Sequence, residues 1–253
     1  MLAAAGRSAS ACEALQSEAP ISTDRPGFLF SPTVVPSRRL QIEMGLPAWL
    51  RARGQAQELD AWSGSVALRF GLSRAAELRA SLPPWTTQRF ESGGVDEHAR
   101  GWGDAEIGAK FMLSDSVDAP WAVQASLRLP TGEAPFTTDE LGATGYVLHG
   151  RSLGRGWSGL FMAGVLHTPA DGAPDTTQGA IGALASLALA DGWSVYGELA
   201  ILPGLHDLRG QSYAGAGLTC AVTEDCQLDL SCDFGLDRDS ADGLAALGVS
   251  FRL

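Results

Sequence analysis

The sequence predicts an all-β chain, a transmembrane antiparallel up-and-down β-barrel of about twelve strands, with short turns at one end and long loops at the other. Three observations predict it. Segment after segment alternates with period two, charge collects on one face of these segments and almost none on the other, and short connections alternate with long ones.

The alternation starts at residues 38–46, RRLQIEMGL, where Arg39, Gln41, Glu43 and Gly45 oppose Leu40, Ile42, Met44 and Leu46. SGSVALRFGL sets Val66, Leu68, Phe70 and Leu72 against Arg69 and small residues, and AELRASL sets Leu78, Ala80 and Leu82 against Glu77, Arg79 and Ser81. GDAEIGAKFML places Glu106 and Lys110 opposite Ile107 and Phe111, and WAVQASLRL places Gln124 and Arg128 opposite Trp121, Val123 and Leu127. ATGYVLHGRSL, WSGLFMAGVLH, GAIGALASLAL and QSYAGAGLTCAV separate their faces poorly. GWSVYGELAIL isolates Glu198, CQLDLSCDFGL isolates Asp229 and Asp233, and LGVSFRL isolates Arg252.

In a soluble sheet the apolar face needs a second layer to cover it. No segment has the 3.6-residue period of an amphipathic helix, so lipid is the simpler cover and the charged face turns toward a wet lumen. The predicted lumen-lining, selectivity-setting residues are Glu43, Arg69, Glu77, Arg79, Glu106, Lys110, Arg128, Glu198, Asp229 and Arg252. Both signs occur on neighbouring strands, which suits cross-strand ion pairs. On this reading Arg69→Ala or Arg128→Ala changes ion selectivity more than folding. Trp62, Trp85, Trp102, Trp121, Trp157 and Trp193 fall at strand ends or beside them, as interfacial girdles require.

The connections carry independent information. SRA, GRG, ADG, SDSVDAP and VTED are short, whereas PAWLRARGQAQELD, PPWTTQRFESGGVDEHAR, PTGEAPFTTDELGA, TPADGAPDTT, PGLHDLRG and DRDSADG read as longer polar loops. An even number of strands then puts both termini on the periplasmic side and every long loop outside. Residues 1–20 read as the tail of a secretory signal or a disordered arm, with an Ala-x-Ala pattern at Ala9–Ala11. Residues 21–37 read as a periplasmic, plug-like segment and 38–253 as the barrel. In TDRPGF, Asp24 and Arg25 precede the first strand, where they would pair with charges of the wall. As a gate this segment would restrict passage; as a strap, the preferred reading, it would close the base of the barrel.

Composition excludes several classes. A net charge of −11 and a pI near 4.7 leave no basic cluster for nucleic acid. No run approaches the roughly 20 apolar residues of a membrane helix. No catalytic residues are expected: His149 and Ser152 are three apart, so on a strand they point to opposite faces, and no H-E-x-x-H, G-x-S-x-G or phosphate loop occurs. His98, His167 and His206 lie in or beside different loops, and neither a metal site nor a cofactor is expected. Cys220 and Cys226 flank a short turn on the same parity, so a disulfide between them is a candidate.

ISTDRPGFLFSPTVVPSRRLQIEMGL, LRFGLSRAAELR, GWGDAEIGAKFML, LRLPTGEAPF, GWSVYGEL and CQLDLSCDFGL with GVSFRL together resemble the outer-membrane family of transporters named for the MetA pathway of phenol degradation. The resemblance runs from Ile21 to the C-terminus. It implies a barrel in the outer membrane of a Gram-negative bacterium, with a transport role and no defined substrate. The chain departs from the usual pattern at Leu253, where such barrels end in Phe or Trp for the assembly machinery; Phe251 is the substitute. The expected partners are outer-membrane lipid, a small-molecule solute and that machinery. The favoured function is a channel for small solutes, hydrophobic or aromatic ones included. The alternatives are a non-transporting barrel with ligand-binding loops and, less favoured, a lipid-modifying enzyme.

Overall fold

The computed structural model describes residues 20–54, 57–114, 116–169, 175–190, 192–205 and 209–253. The signal-like arm before Pro20 and His206 lie outside the described residues. Thirteen strands follow one another: β1 (Leu40–Arg53), β2 (Gln57–Gly71), β3 (Ala76–Ser92), β4 (Val95–Trp102), β5 (Ala105–Met112), β6 (Trp121–Leu129), β7 (Gly142–Gly154), β8 (Trp157–Thr168), β9 (Thr176–Ala188), β10 (Trp193–Leu202), β11 (Gln211–Thr223), β12 (Cys226–Gly235) and β13 (Gly243–Arg252). There is no helix among the described residues. Apart from β4 and β5, neighbouring strands pair antiparallel in sequence order, β1 pairs with β13, and β2–β3 completes the ring. β4 and β5 both pair with β3, one above the other, so together they form a single stave broken at Gly103-Asp104. The result is a closed antiparallel barrel of twelve staves.

Strand parity sorts the side chains as the alternation predicts. Leu78, Ile107, Phe111, Leu228, Leu230 and Leu247 are exposed on the outer surface, while Gln41, Glu43, Arg69, Glu77, Lys110 and Ser250 are buried within. The six tryptophans named above are all well exposed. Trp121, Trp157 and Trp193 open β6, β8 and β10 beside the turns, and Trp62, Trp85 and Trp102 lie toward the other end, which gives two belts.

Two of the supposed long loops are in fact strand. β1 runs on through PAWLRAR to Arg53 and β2 begins at Gln57; β3 continues to Ser92 and β4 begins at Val95, closing through the two-residue turn Gly93-Gly94. The register shifts between Gly45 and Ala48 and again between Gly64 and Val66, and β3 changes partner around Pro83-Pro84. Each shift resets the inside–outside parity, so a period-two pattern read from the sequence stops at these prolines although the ladder goes on.

The poorly separated strands have a different cause. On β7 to β9 the inner face is itself largely apolar: Leu148, Met162 and Ala180 are buried and, with Ala122 of β6, pack against Leu29 of the N-terminal segment. With lipid outside and Leu29 inside, neither face needs polarity.

The candidate disulfide is not formed, and Cys220 and Cys226 are both free. The turn at Glu224-Asp225 sets Cys226 opposite Thr223 and Cys220 opposite Leu228, so the two share a parity without facing each other. One further loop has a clear organiser. Asp104, at the break between β4 and β5, accepts hydrogen bonds from the backbone N–H of Thr131 (3.1 Å), Gly132 (2.9 Å) and Thr138 (3.3 Å), tying PTGEAPFTT back to the barrel wall.

Candidate functional site in the barrel interior

Residues 21–35 cross the interior of the barrel. Segments without secondary structure must find partners for their backbone, and here the wall supplies them. The Asp24 N–H donates to Glu43 (3.0 Å to Oε2), the Phe28 N–H to Glu198 (3.1 Å to Oε2) and the Val35 N–H to Glu77 Oε2 (2.7 Å). In the other direction, Lys110 Nζ donates to Ser31 O (2.7 Å), Arg69 to Thr33 O (3.1 Å) and Ser22 O (3.2 Å), and Gln41 Nε2 also to Ser22 O (2.9 Å). Gln227 Nε2 reaches Thr23 Oγ1 at 2.8 Å. The contacts come from β1, β2, β3, β5, β10 and β12, so the segment is tied to opposite walls.

The charged centre of this attachment is Asp24. Its carboxylate meets Lys110 Nζ at 2.9 Å, Arg79 Nη1 at 2.6 Å and, more distantly, Arg69 Nη1 at 3.7 Å. Arg69 in turn binds Glu77 (2.9 Å) and Glu43 (2.7 Å). Three carboxylates therefore face three cations. Burial pushes the Asp24 carboxyl toward protonation, but Arg69, Lys110 and Arg79 together overrule it and hold its pKa well below the usual carboxylate range.

The sign of the pH effect follows. A depressed folded-state pKa means that the contribution of Asp24 is fully present above its unfolded value of about 3.9 and is lost only as pH falls through the lower, folded value. Asp24 itself therefore stays ionised throughout the range from pH 5 to 8. The expected outcome is that wild type and Asp24→Asn differ in single-channel conductance by the same factor at pH 5 and pH 6; a difference that vanished at pH 5 would place the titration of Asp24 in the wrong range.

The opposite wall holds Arg25, whose Nη2 donates to Asp229 Oδ1 and to Leu247 O, both at 3.3 Å. Gly27 permits the close approach beside it, with φ +92° and Glu198 lying where a Cβ would project. Phe28 stacks on Tyr213 (4.9 Å between centroids), and Phe30 meets Tyr146 edge-on (5.3 Å). These aromatics are the part of the attachment that charge patterning misses; their signal is the FLF triplet at residues 28–30, set before the first strand.

The remaining predicted lumen residues fall in different places. Glu106 and Arg128 pair at 3.4 Å, each about 30 % exposed (31 % and 30 %), and form a solvated part of the interior wall. Arg252 is buried but reaches the turn between β11 and β12, where it binds Asp225 (2.6 Å) and the carbonyl of Glu224 (3.1 Å). Arg69 is fully buried within the attachment, so it is unsuited to the selectivity test expected from the sequence alone. Arg128 is the better position for that test: Arg128→Ala is expected to shift the reversal potential in a salt gradient while changing the unfolding free energy by no more than about 0.5 kcal/mol, since a half-solvated ion pair contributes little.

Two cavities flank the segment. One of about 230 Å³ is lined by Asp24, Arg25, Gly27, Phe30, Glu43, Arg79, Glu106 and Gln124. The other, of about 430 Å³, is lined by Arg25, Gly27, Phe28, Trp49, Leu50, Leu59, Gln88, Asp233 and Leu244 among others. Arg25 and Gly27 border both and so form the partition between them.

Residues 23–253 match the family model described as "Putative MetA-pathway of phenol degradation". The chain belongs to that family. The match includes the segment that crosses the interior as well as the barrel. No curated protein sequence matches the chain. Among solved structures, an outer membrane channel from Pseudomonas putida F1 is similar over 90% of this chain and 99% of its own, with 12% identity and a TM-score of 0.69. The β domain of the Bordetella autotransporter BrkA (16% identity, 85% and 99% covered, TM-score 0.59) and the NanC porin (10% identity, 85% and 100% covered, TM-score 0.57) share the same architecture. At these identities the likeness concerns fold, and the fold is that of outer-membrane barrels.

Proposed function

We propose that this family member is an outer-membrane channel that admits small solutes, including partly apolar or aromatic ones, past an internal segment that narrows the lumen. The observation that carries the reading is the partition of Arg25 and Gly27 between two cavities inside a closed barrel. A solute entering at the loop end meets a chamber bordered by Phe28, Trp49, Leu50 and Leu59, then the partition, then a chamber bordered by charge. The description of the family, which names phenol degradation, agrees with an aromatic solute. The location in the outer membrane rests on the exposed apolar band, the two tryptophan belts and the barrels it resembles. Surrounding lipid and the barrel assembly machinery are the partners this location implies.

Purified protein in planar bilayers, combined with liposome swelling across sugars, amino acids and aromatic acids, tests the proposal. Discrete conductance steps and swelling with aromatic solutes are the expected result. Absence of both, with the segment in place and in a variant lacking residues 21–35, would favour a non-transporting barrel that binds ligands through its loops.

A further inference from the structure

The interior is electrically lopsided. Around Asp24 the charges balance, Asp24, Glu43 and Glu77 against Arg69, Arg79 and Lys110. Across the lumen, Glu198, Asp229 and Asp233 are buried at 4 %, 5 % and 4 % exposure, and the one cation paired with them among the described residues is Arg25, on Asp229. Glu198, Gly215 and Asp233 stand side by side on β10, β11 and β12. Gly215 leaves the gap in which the two carboxylates approach, since a Cβ there would overlap Asp233 Oδ1 and lie 3.3 Å from Glu198 Cγ. Glu198 is occupied by the Phe28 N–H, whereas Asp233 Oδ1 is buried with no hydrogen-bond donor among the described residues other than a protonated Glu198. Removing carboxylates from water without a compensating cation or donor is costly, so this wall is satisfied either by a proton shared between Glu198 and Asp233 or by a cation seated on them.

Asp233 also borders the larger cavity, about 430 Å³, whose other walls are Phe28, Trp49, Leu50, Leu59 and Leu244. That volume is within the range of small-molecule sites, which combine apolar walls with a few placed polar groups. We propose that this chamber is a binding site for a cationic amine with an apolar or aromatic body, the ammonium seated on Asp233 beside Glu198 and the body lying against Phe28, Leu50 and Leu59. The ammonium replaces the shared proton with a full positive charge and three donors; the apolar walls would not hold a hydrated inorganic cation equally well. This deepens the channel reading by naming a class of solute, yet binding is measured apart from conductance, so either can fail without the other.

Isothermal titration of the full chain in nanodiscs with 4-phenylbutylamine, and with 4-phenylbutanol as the neutral isostere, tests it. Stoichiometric binding of the amine, at least tenfold tighter than the alcohol, is expected, as is at least a tenfold loss in Asp233→Asn with the alcohol unchanged. Ala61→Phe fills the same chamber from the facing wall and is expected to abolish amine binding even if Asp233→Asn assembles poorly. Equal affinity for amine and alcohol, no binding of either to the wild type, or amine binding that survives both substitutions would overturn the proposal.

Discussion

Arg69→Ala is expected to lower the stability of the barrel by about 3–5 kcal/mol and to raise conductance several-fold, because it removes one partner from a buried cluster and leaves the others in place. Arg69 is fully buried and bonds at once to Glu77, Glu43, the carbonyl of Ser22 and the carbonyl of Thr33. Its loss strands Glu43 and Glu77 with too little positive charge and cuts two ties to the internal segment. Part of the cost falls on the wall and part on the docking of residues 21–35, which is why both stability and conductance respond. Urea unfolding in lipid vesicles and single-channel recording measure the two parts. The double variant Arg69→Met/Glu77→Gln restores the balance, with Asp24 and Glu43 then facing Lys110 and Arg79, and should recover a measurable share of the lost stability. Identical midpoints for wild type and Arg69→Ala would mean that the cluster contributes nothing to holding the interior together.

This expectation reverses what the alternation alone suggests for Arg69, and the reason shows where sequence reading stops. Parity assigns Arg69, Glu77 and Lys110 to the inward face, where all three are buried, because an ionised side chain facing lipid would be excluded whatever else the lumen contains. Parity does not say what fills the lumen. Asp24 and Arg25 invite pairing with the wall, but only the fold puts Asp24 between Lys110 and Arg79, on β5 and β3, while Arg25 reaches Asp229 on β12. The same gap explains β7 to β9, whose inner apolar residues look like a failure of the pattern until Leu29 is seen against them. Loop lengths are misread for a third reason: Pro47 and Pro83-Pro84 mark shifts in register that resemble strand ends when only periodicity is available. The pairing of Cys220 with Cys226 fails because parity does not locate the turn: it falls at Glu224-Asp225, which sets Cys220 opposite Leu228.

The outer face admits an equally decisive test. Leu230 lies midway along β12, points outward at 42 % exposure and sits in register with Leu218 and Leu247, a row of leucines on three adjacent strands. If lipid covers this row, an arginine there must leave its guanidinium in hydrocarbon or thin the bilayer to reach water. Leu230→Arg is therefore expected to cost about 2–4 kcal/mol, with a matching fall in the fraction of barrel that resists unfolding on a semi-native gel. Val222 is also outward-facing and exposed (55 %), but it lies next to the turn, where an arginine reaches the headgroups. Val222→Arg should cost only about 0–1 kcal/mol. The contrast matters more than either value: a soluble sheet would penalise neither exposed position, whereas a bilayer penalises the first and spares the second. Equal tolerance at both sites would remove the membrane from the argument and the channel along with it.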